Sequence, residues 1–120
     1  MVMSKVKKKK YPTGEEVVRD ALRRSDRRCR TVPPVVEELF GDCANVVRLA
    51  ALCRELQRRA KKNGKDDFPL AGSLAAMVLG VRHELAVSGL KALLSVGVIE
   101  LTEQGSWGVA NRYRYVDDPR

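Results

Sequence analysis

The spacing of apolar and polar residues predicts five helices followed by two short strands. Residues 14–24 carry one apolar stripe between charged positions, and a short helix follows over residues 34–40. The longest helix runs from Cys43 to about Lys62, where apolar residues recur every three or four positions. Two further helices are predicted, from Pro69 to Leu79 and from about Arg82 to Val96. The sequence therefore predicts a mostly α-helical fold with a small antiparallel β-hairpin.

Helix boundaries are indicated by capping residues. Thr13-Gly14-Glu15-Glu16 forms a capping box, in which a hydroxyl and a carboxylate bond reciprocally to backbone amides. The pattern of that first helix breaks at Ser25. Asp42 is the predicted N-cap of the long helix, and Asn63-Gly64 is its predicted end. Gly80 supplies a tight turn between the last two helices, and Gly97 stops the second of them.

Two alternating segments form the predicted hairpin. In residues 98–102, Ile99 and Leu101 share one face, and in residues 111–116, Tyr113 and Tyr115 do so. These apolar faces should pack on the helices, because an isolated two-stranded hairpin is only marginally stable. The apolar residues of the last two helices that are predicted to face the core are Leu70, Leu74, Met77, Val78, Ala86, Leu90, Leu93 and Leu94.

The order of these elements resembles the winged helix-turn-helix superfamily. The residues that carry the resemblance are Phe68-Pro69-Leu70, Ala75-Ala76, Leu79-Gly80-Val81, Ala86, Leu90, Leu93, Gly97-Val98-Ile99-Glu100, Gly105 and Asn111-Arg112-Tyr113-Arg114-Tyr115. More narrowly, the segment is similar to winged-helix modules in replication-associated proteins of plasmids, phages and other mobile elements, including regions that follow primase domains. Arg82 stands where such modules often have a capping Ser or Thr, which removes a cap worth ~1 kcal/mol.

The length of 120 residues suits one domain. We expect a winged-helix domain over residues 13–120, with its helix-turn-helix core at 68–116 and an N-terminal helical extension. Residues 1–12 carry adjacent lysines and no apolar pattern, which predicts a disordered basic tail. The net charge is +8, but residues 66–120 hold five basic residues against seven acidic ones. The positive charge therefore lies N-terminal to the predicted core.

The resemblance implies that the helix beginning near Arg82 enters the major groove of DNA. The residues expected on its outer face are Arg82, His83, Glu84, Val87, Ser88 and Lys91. Arg or His can bond to guanine edges, Glu84 can accept from cytosine, and Val87 can contact a thymine methyl group. A solvated helix face or a protein contact is the alternative interpretation of the same residues.

Three residues of the wing are further DNA-binding candidates. Arg112 and Arg114 could contact the DNA backbone on either side, or they could pair across the strands with Glu100 or Glu103. Trp107 could stack or enter a groove, or its ring could fold back onto the hairpin.

Weaker phosphate-contacting candidates lie in the N-terminal half: Lys7, Lys8, Lys9, Lys10, Arg58 and Lys62. Such contacts supply most non-specific affinity for DNA. For Arg58 and Lys62, the alternative is that they complement the negative end of the helix dipole. For the tail, the alternative is a solvated terminus.

The sequence indicates no catalytic, metal or cofactor site. The odd number of cysteines (Cys29, Cys43 and Cys53) and the single histidine do not match a structural zinc site, so we expect reduced, mostly buried thiols. No apolar run approaches the ~20 residues of a membrane span, and no secretory signal is evident. We therefore expect a cytoplasmic, nucleoid-associated protein that is not an enzyme and has no inferred small-molecule substrate.

The predicted function is binding of duplex DNA in replication or transcription of a mobile element or bacterial genome. One alternative is a winged-helix module for protein–protein interaction within a replication or transcription complex, favoured by the acidic balance of residues 66–120. Another is a homodimer in which the long helix from Cys43 to Lys62 buries against its mate. A dimer that reads two half-sites would combine these ideas.

Overall fold

The computed structural model describes residues 14–27, 34–40, 43–106 and 109–116. These residues form five helices and a three-stranded antiparallel sheet. In chain order the elements are α1 (Gly14–Arg27), α2 (Pro34–Phe40), α3 (Ala44–Lys62), β1 (Phe68–Pro69), α4 (Gly72–Leu79), α5 (His83–Ser95), β2 (Ile99–Glu103) and β3 (Arg112–Tyr115). The mostly helical fold with a small antiparallel β component is therefore confirmed.

The core is built around α3. Eleven residues of this helix are buried, and they pack against α1, α2, α4 and α5. Leu49 and Leu52 are at most 1% exposed, as are Leu70, Leu93 and Ile99 from the C-terminal half. The apolar face of α3 is therefore covered by the chain's own helices.

Two helix boundaries differ from the predictions. α1 continues past Ser25 to Arg27, since the Ser25 hydroxyl is buried and donates to the Leu22 carbonyl at 3.0 Å instead of breaking the helix. The N-cap of α3 is Cys43, without a side-chain cap, rather than Asp42. Asp42 itself lies outside the described residues, as does Thr13 of the predicted capping box.

The predicted glycine endings are confirmed. Gly80 has φ +74°, the left-handed conformation that glycine adopts without steric cost, and the Val81 N–H donates to the Ala76 carbonyl at 3.0 Å. α4 therefore ends at Leu79, and α5 begins at His83 after a three-residue corner. Gly64 and Gly97 follow α3 and α5 in the same left-handed conformation.

The strand β1 corrects the prediction that Pro69 begins a helix. Phe68 and Pro69 pair with Tyr113 and Arg112, and the Leu70 N–H donates to the Asn111 carbonyl at 3.0 Å. Since Pro69 is held in the sheet, α4 starts only at Gly72. The sheet order is β1-β3-β2, which places the last strand between the other two.

Tyr113 and Tyr115 are buried, as predicted, and the Tyr113 ring lies 6.3 Å from that of Phe68. Leu101 is instead 44% exposed, so Ile99 is the one buried residue of β2, and the pairing of β2 with β3 becomes irregular after Leu101. Met77 is 51% exposed, because the core-facing side of the short helix α4 is taken by its alanines, Val78 and Leu79.

The thiols differ in their surroundings. Cys53 is fully buried in α3, and burial raises its pKa to about 12 because the charged thiolate is disfavoured there. Cys43 is exposed, so the prediction of a buried thiol is wrong at this position. Cys29 lies outside the described residues.

Candidate nucleic-acid interface

The helix α5 is fixed against α3 by a close contact at Gly89. A β-carbon added at Gly89 would lie 2.9 Å from Leu49 Cδ2, so the two helices approach as nearly as side chains permit. Ala86, Leu90 and Leu93 are buried on the same side of α5. The opposite side of the helix is thereby turned outward.

Five of the six residues predicted for the outer side of this helix are exposed. They are Arg82, His83, Glu84, Ser88 and Lys91, and the side chains of Arg82 and Glu84 are 77% and 83% accessible. Arg82 has extended backbone geometry at the N-cap and makes no side-chain cap, as its replacement of Ser or Thr predicts. The cation is therefore available at the start of the helix.

Val87 and His83 also border α4. A β-carbon at Gly72 would lie 3.0 Å from Val87 Cγ2 and 3.5 Å from His83 Nε2. Val87 is accordingly half-buried, so the prediction that it lies wholly on the outer face is wrong. The start of α4 thus covers part of the surface of α5 beside Val87 and His83.

The charge of the exposed side of α5 is nearly balanced. Arg82 Nε lies 3.8 Å from Glu84 Oε1, a solvent-exposed pair of low strength. Lys91 forms no ion pair with another residue of the described chain and is left as a free cation. We call Arg82, His83, Glu84, Ser88 and Lys91 the α5 face.

The two arginines of β3 are engaged within the protein. Arg112 lies 2.9 Å from Asp67, while Arg114 lies 2.8 Å from both Glu100 and Asp66. The cross-strand pair of Arg114 with Glu100 is the alternative that the sequence suggested. Glu103 is not the partner of Arg112, because the loop before β1 brings Asp67 closer. Both guanidinium groups are therefore largely neutralised before any phosphate arrives.

These pairs shift two pKa values. Hydrogen bonds from Arg112 and then Thr102 lower the pKa of Asp67 below its usual 3.8, and the Thr102 hydroxyl donates at 2.6 Å. Hydrogen bonds to Glu100 and Asp66 raise the pKa of Arg114. Each shift favours the charged form, as expected for opposite charges in contact.

We expect Asp67→Asn to lower the free energy of unfolding at pH 7 and to have less effect in acid. A carboxyl whose folded pKa is depressed stabilises the fold above its unfolded pKa, near 3.8, and this contribution is lost as pH falls through the folded pKa. Urea unfolding of both chains between pH 7 and pH 2 measures the difference. A difference that stays constant over this range would contradict the assignment. Glu103→Gln, at an exposed position of β2 in the same sheet, is the control.

The remaining DNA-binding candidates are two cations of α3 and five residues that lie outside the described ranges. Arg58 and Lys62 lie on the last turns of α3, and they line a groove with residues of α1 and not with the α5 face. Arg58 also contacts Glu55 at 3.0 Å, while Lys62 is exposed without an ion-pair partner among the described residues. Trp107 and Lys7, Lys8, Lys9 and Lys10 lie outside the described residues.

Gln57 is an important side chain that was not among the candidates predicted from the sequence. Gln57 of α3 is 3% exposed; its Oε1 accepts from the Tyr115 N–H at 2.8 Å, and its Nε2 donates to the Asp66 carbonyl at 2.9 Å. Asp66 would be the next partner of Tyr115 if the register of β1 with β3 continued. The amide of Gln57 thus bridges the Tyr115 N–H and the Asp66 carbonyl, which a longer β1 would bring together as neighbours in the sheet.

No group of three or more histidine, cysteine or acidic side chains is placed to hold a metal ion within the described ranges. In the same part of the chain, no helix combines the length and apolar character that crossing a membrane requires. Comparison of the chain with protein-family models, curated proteins and solved structures found no match. The residues and their geometry are therefore the basis for assigning a function.

Proposed function

We propose that the chain is a winged-helix module that binds duplex DNA through α5. The observation that carries the proposal is the corner at Gly80, which follows α4 and leaves the α5 face exposed. The element order from α3 to β3 and the sheet order β1-β3-β2 are consistent with a winged-helix topology. A helix of about 10–12 Å diameter fits the major groove, which is about 12 Å wide.

In this proposal Arg82 and Lys91 make the first contacts of α5 with DNA. Arg82 lies at the beginning of the helix, where recognition helices contact base edges, and Lys91 lies in its second half. Binding to DNA would exchange the weak pair with Glu84 for a phosphate or guanine partner. Since α5 carries few cations, phosphate attraction comes mainly from other parts of the chain.

The cations of α3 and of the N-terminal segment supply that attraction. Lys61 and Lys62 in the last turn of α3, and Lys65 just after it, are exposed and lie in no salt bridge with another described residue. Lys7 to Lys10 add four charges in sequence before α1. The resemblance favours a role in replication or transcription of a mobile element or bacterial genome.

A duplex titration tests this proposal. We expect affinity to fall linearly with salt on a log–log scale, and Arg82→Ala with Lys91→Ala to weaken binding by about 1 kcal/mol or more. The salt slope should fall by up to about 0.9 for each phosphate that the variant no longer neutralises. Arg23→Ala with Arg27→Ala, on exposed positions of α1, is a control that removes the same charge.

A module for protein docking is the second candidate. It is favoured by Met77 and Leu85, which are each 51% exposed near the corner at Gly80, and by the small net charge of the α5 face. Absence of duplex binding at about 50 mM salt, where phosphate attraction is strong, would support this candidate and contradict the first. Light scattering would show whether the docking partner is a second copy of the chain.

A further inference from the structure

A second surface of the molecule is an open apolar groove of about 450 Å³. It lies between the first turns of α1, the end of α3 and the segment from Asp67 to Leu74. Its apolar lining comes from Val17, Val18, Leu56, Ala60, Phe68, Pro69, Leu70, Ala71, Leu74 and Ala110. The volume falls within the range of ordinary ligand sites, which is about 300–1,000 Å³.

The rim of this apolar groove is basic. Arg59, Lys65 and Arg112 line it together with a single carboxylate, that of Asp67. Arg112 is paired with Asp67, and Arg59 bonds to Asp20. Lys65 is exposed and forms no ion pair with another described residue. The rim therefore keeps an excess of positive charge beyond its internal pairs.

A charged groove continues from the apolar one. The two share Val17, Arg59 and Asn63, and the charged groove adds Arg24, Arg58, Lys61 and Lys62 against Asp20 and Glu55. Together the two grooves hold seven Lys or Arg residues and three Asp or Glu residues. An apolar floor is thus bordered on one side by a surface of mixed charge in which Lys and Arg outnumber Asp and Glu.

We infer that the apolar groove binds an acidic peptide segment of a partner protein through one or two large apolar side chains. Burying such side chains contributes roughly 25 cal/mol per Å² of apolar surface, and the rim supplies the charge complementarity that orients flanking carboxylates. A nucleic-acid backbone fits less well, because its phosphates gain nothing from an apolar floor. The residues before α1 fit less well too, since Lys7 to Lys10 would meet a rim of like charge.

This inference goes beyond DNA binding, although its basic surface includes Lys61, Lys62 and Lys65, which the DNA-binding proposal also uses. None of the residues of the α5 face lines the groove. The two proposals can therefore be tested separately through variants of the α5 face.

The test is fluorescence anisotropy of the full chain with a labelled peptide, Asp-Asp-Leu-Phe-Asp-Asp. Two control peptides replace either the apolar pair by Ser-Ser or every Asp by Lys. We expect the first peptide to bind at least about tenfold more tightly than either control. Ala71→Phe, which fills the groove, and Lys65→Glu, which reverses a rim charge, should each weaken binding at least about fivefold. Lys65→Glu alters an exposed position, so it keeps the test valid if Ala71→Phe fails to fold.

Two variants serve as matched controls. Lys91→Ala on the α5 face should leave peptide affinity unchanged while it weakens duplex binding, so failure of either proposal is distinguishable from failure of the other. Arg27→Glu makes the same charge reversal as Lys65→Glu at an exposed position that does not line the groove. It should change peptide affinity by less than about twofold.

Three results would overturn the inference. Equal binding of the Ser-Ser control would show that charge alone is recognised. Binding that is seen only after residues 1–12 are removed would assign the groove to the chain's own N-terminal segment. Loss of duplex affinity in Lys65→Glu without any binding of the acidic peptide would assign the rim to nucleic-acid phosphates.

Discussion

Replacement of Gln57 by Leu is expected to lower the free energy of unfolding by about 2–4 kcal/mol. The substitution keeps an apolar volume in place but removes both hydrogen bonds of the amide. The buried Tyr115 N–H would lose the acceptor that Gln57 provides, which costs roughly 1–3 kcal/mol, whereas the exposed Asp66 can turn to water at a smaller cost. Urea unfolding followed by circular dichroism measures the change.

The controls for this substitution lie on the same helix. Lys61→Leu, at an exposed position of α3, should change stability by less than about 0.5 kcal/mol. Gln57→Glu keeps an acceptor for Tyr115, but it loses the donor to Asp66 and buries a carboxyl group against that carbonyl, so we expect a cost at least as large as that of Gln57→Leu. A neutral Gln57→Leu would mean that the bridge between α3 and the sheet contributes nothing.

Gly89→Leu is expected to destabilise the fold by about 2 kcal/mol and to weaken duplex binding as well. Even a β-carbon at this position would lie 2.9 Å from Leu49 Cδ2, and three further carbons must displace the buried Leu49 side chain or move α5 away from α3. Overpacking of this kind costs roughly 1–3 kcal/mol or more, of which a better helix propensity offsets about 0.7 kcal/mol. Unfolding and duplex titration, performed at a temperature where the variant remains folded, measure both effects.

Ser88→Leu is the matched control, because it places the same side chain one residue earlier on the exposed side of α5. It should leave the free energy of unfolding within about 0.5 kcal/mol of the parent. If the two variants were equally stable, the close approach of α5 to α3 would not be what positions the α5 face.

The parts of the fold that depend on local chemistry could be predicted from the sequence. Gly80 ends α4 because this position takes the left-handed backbone conformation. A glycine directly after a helical pattern of apolar residues predicts such an ending. The burial of Tyr113 and Tyr115 follows from alternation alone, and both side chains lie in the core. In each case, a few neighbouring residues determine the outcome.

What depends on tertiary contacts could not be predicted. β1 contains only two residues and exists because Phe68 meets Tyr113, which lies far along the chain in the last strand. Met77 has the spacing of a core residue but lies outside, because the alanines of α4, Val78 and Leu79 occupy its core-facing side.

The candidate site likewise has features that could be predicted from the sequence and features that could not. The exposure of Arg82 and Lys91 follows from helical periodicity, which the sequence displays. The neutralisation of Arg112 and Arg114 depends on a loop that brings Asp66 and Asp67 to the sheet, and no periodicity indicates such an arrangement. Trp107 and the lysines before α1 stay predictions, since they lie outside the described residues.

The two outer strands of the sheet discourage further strand pairing. β1 is only two residues long and includes Pro69, which has no N–H to donate, while β2 carries Glu100 and Glu103 and an irregular register. Such edges oppose edge-to-edge aggregation. They also disfavour recognition by β-augmentation, so any macromolecule that this protein meets is expected to engage a helix or a groove.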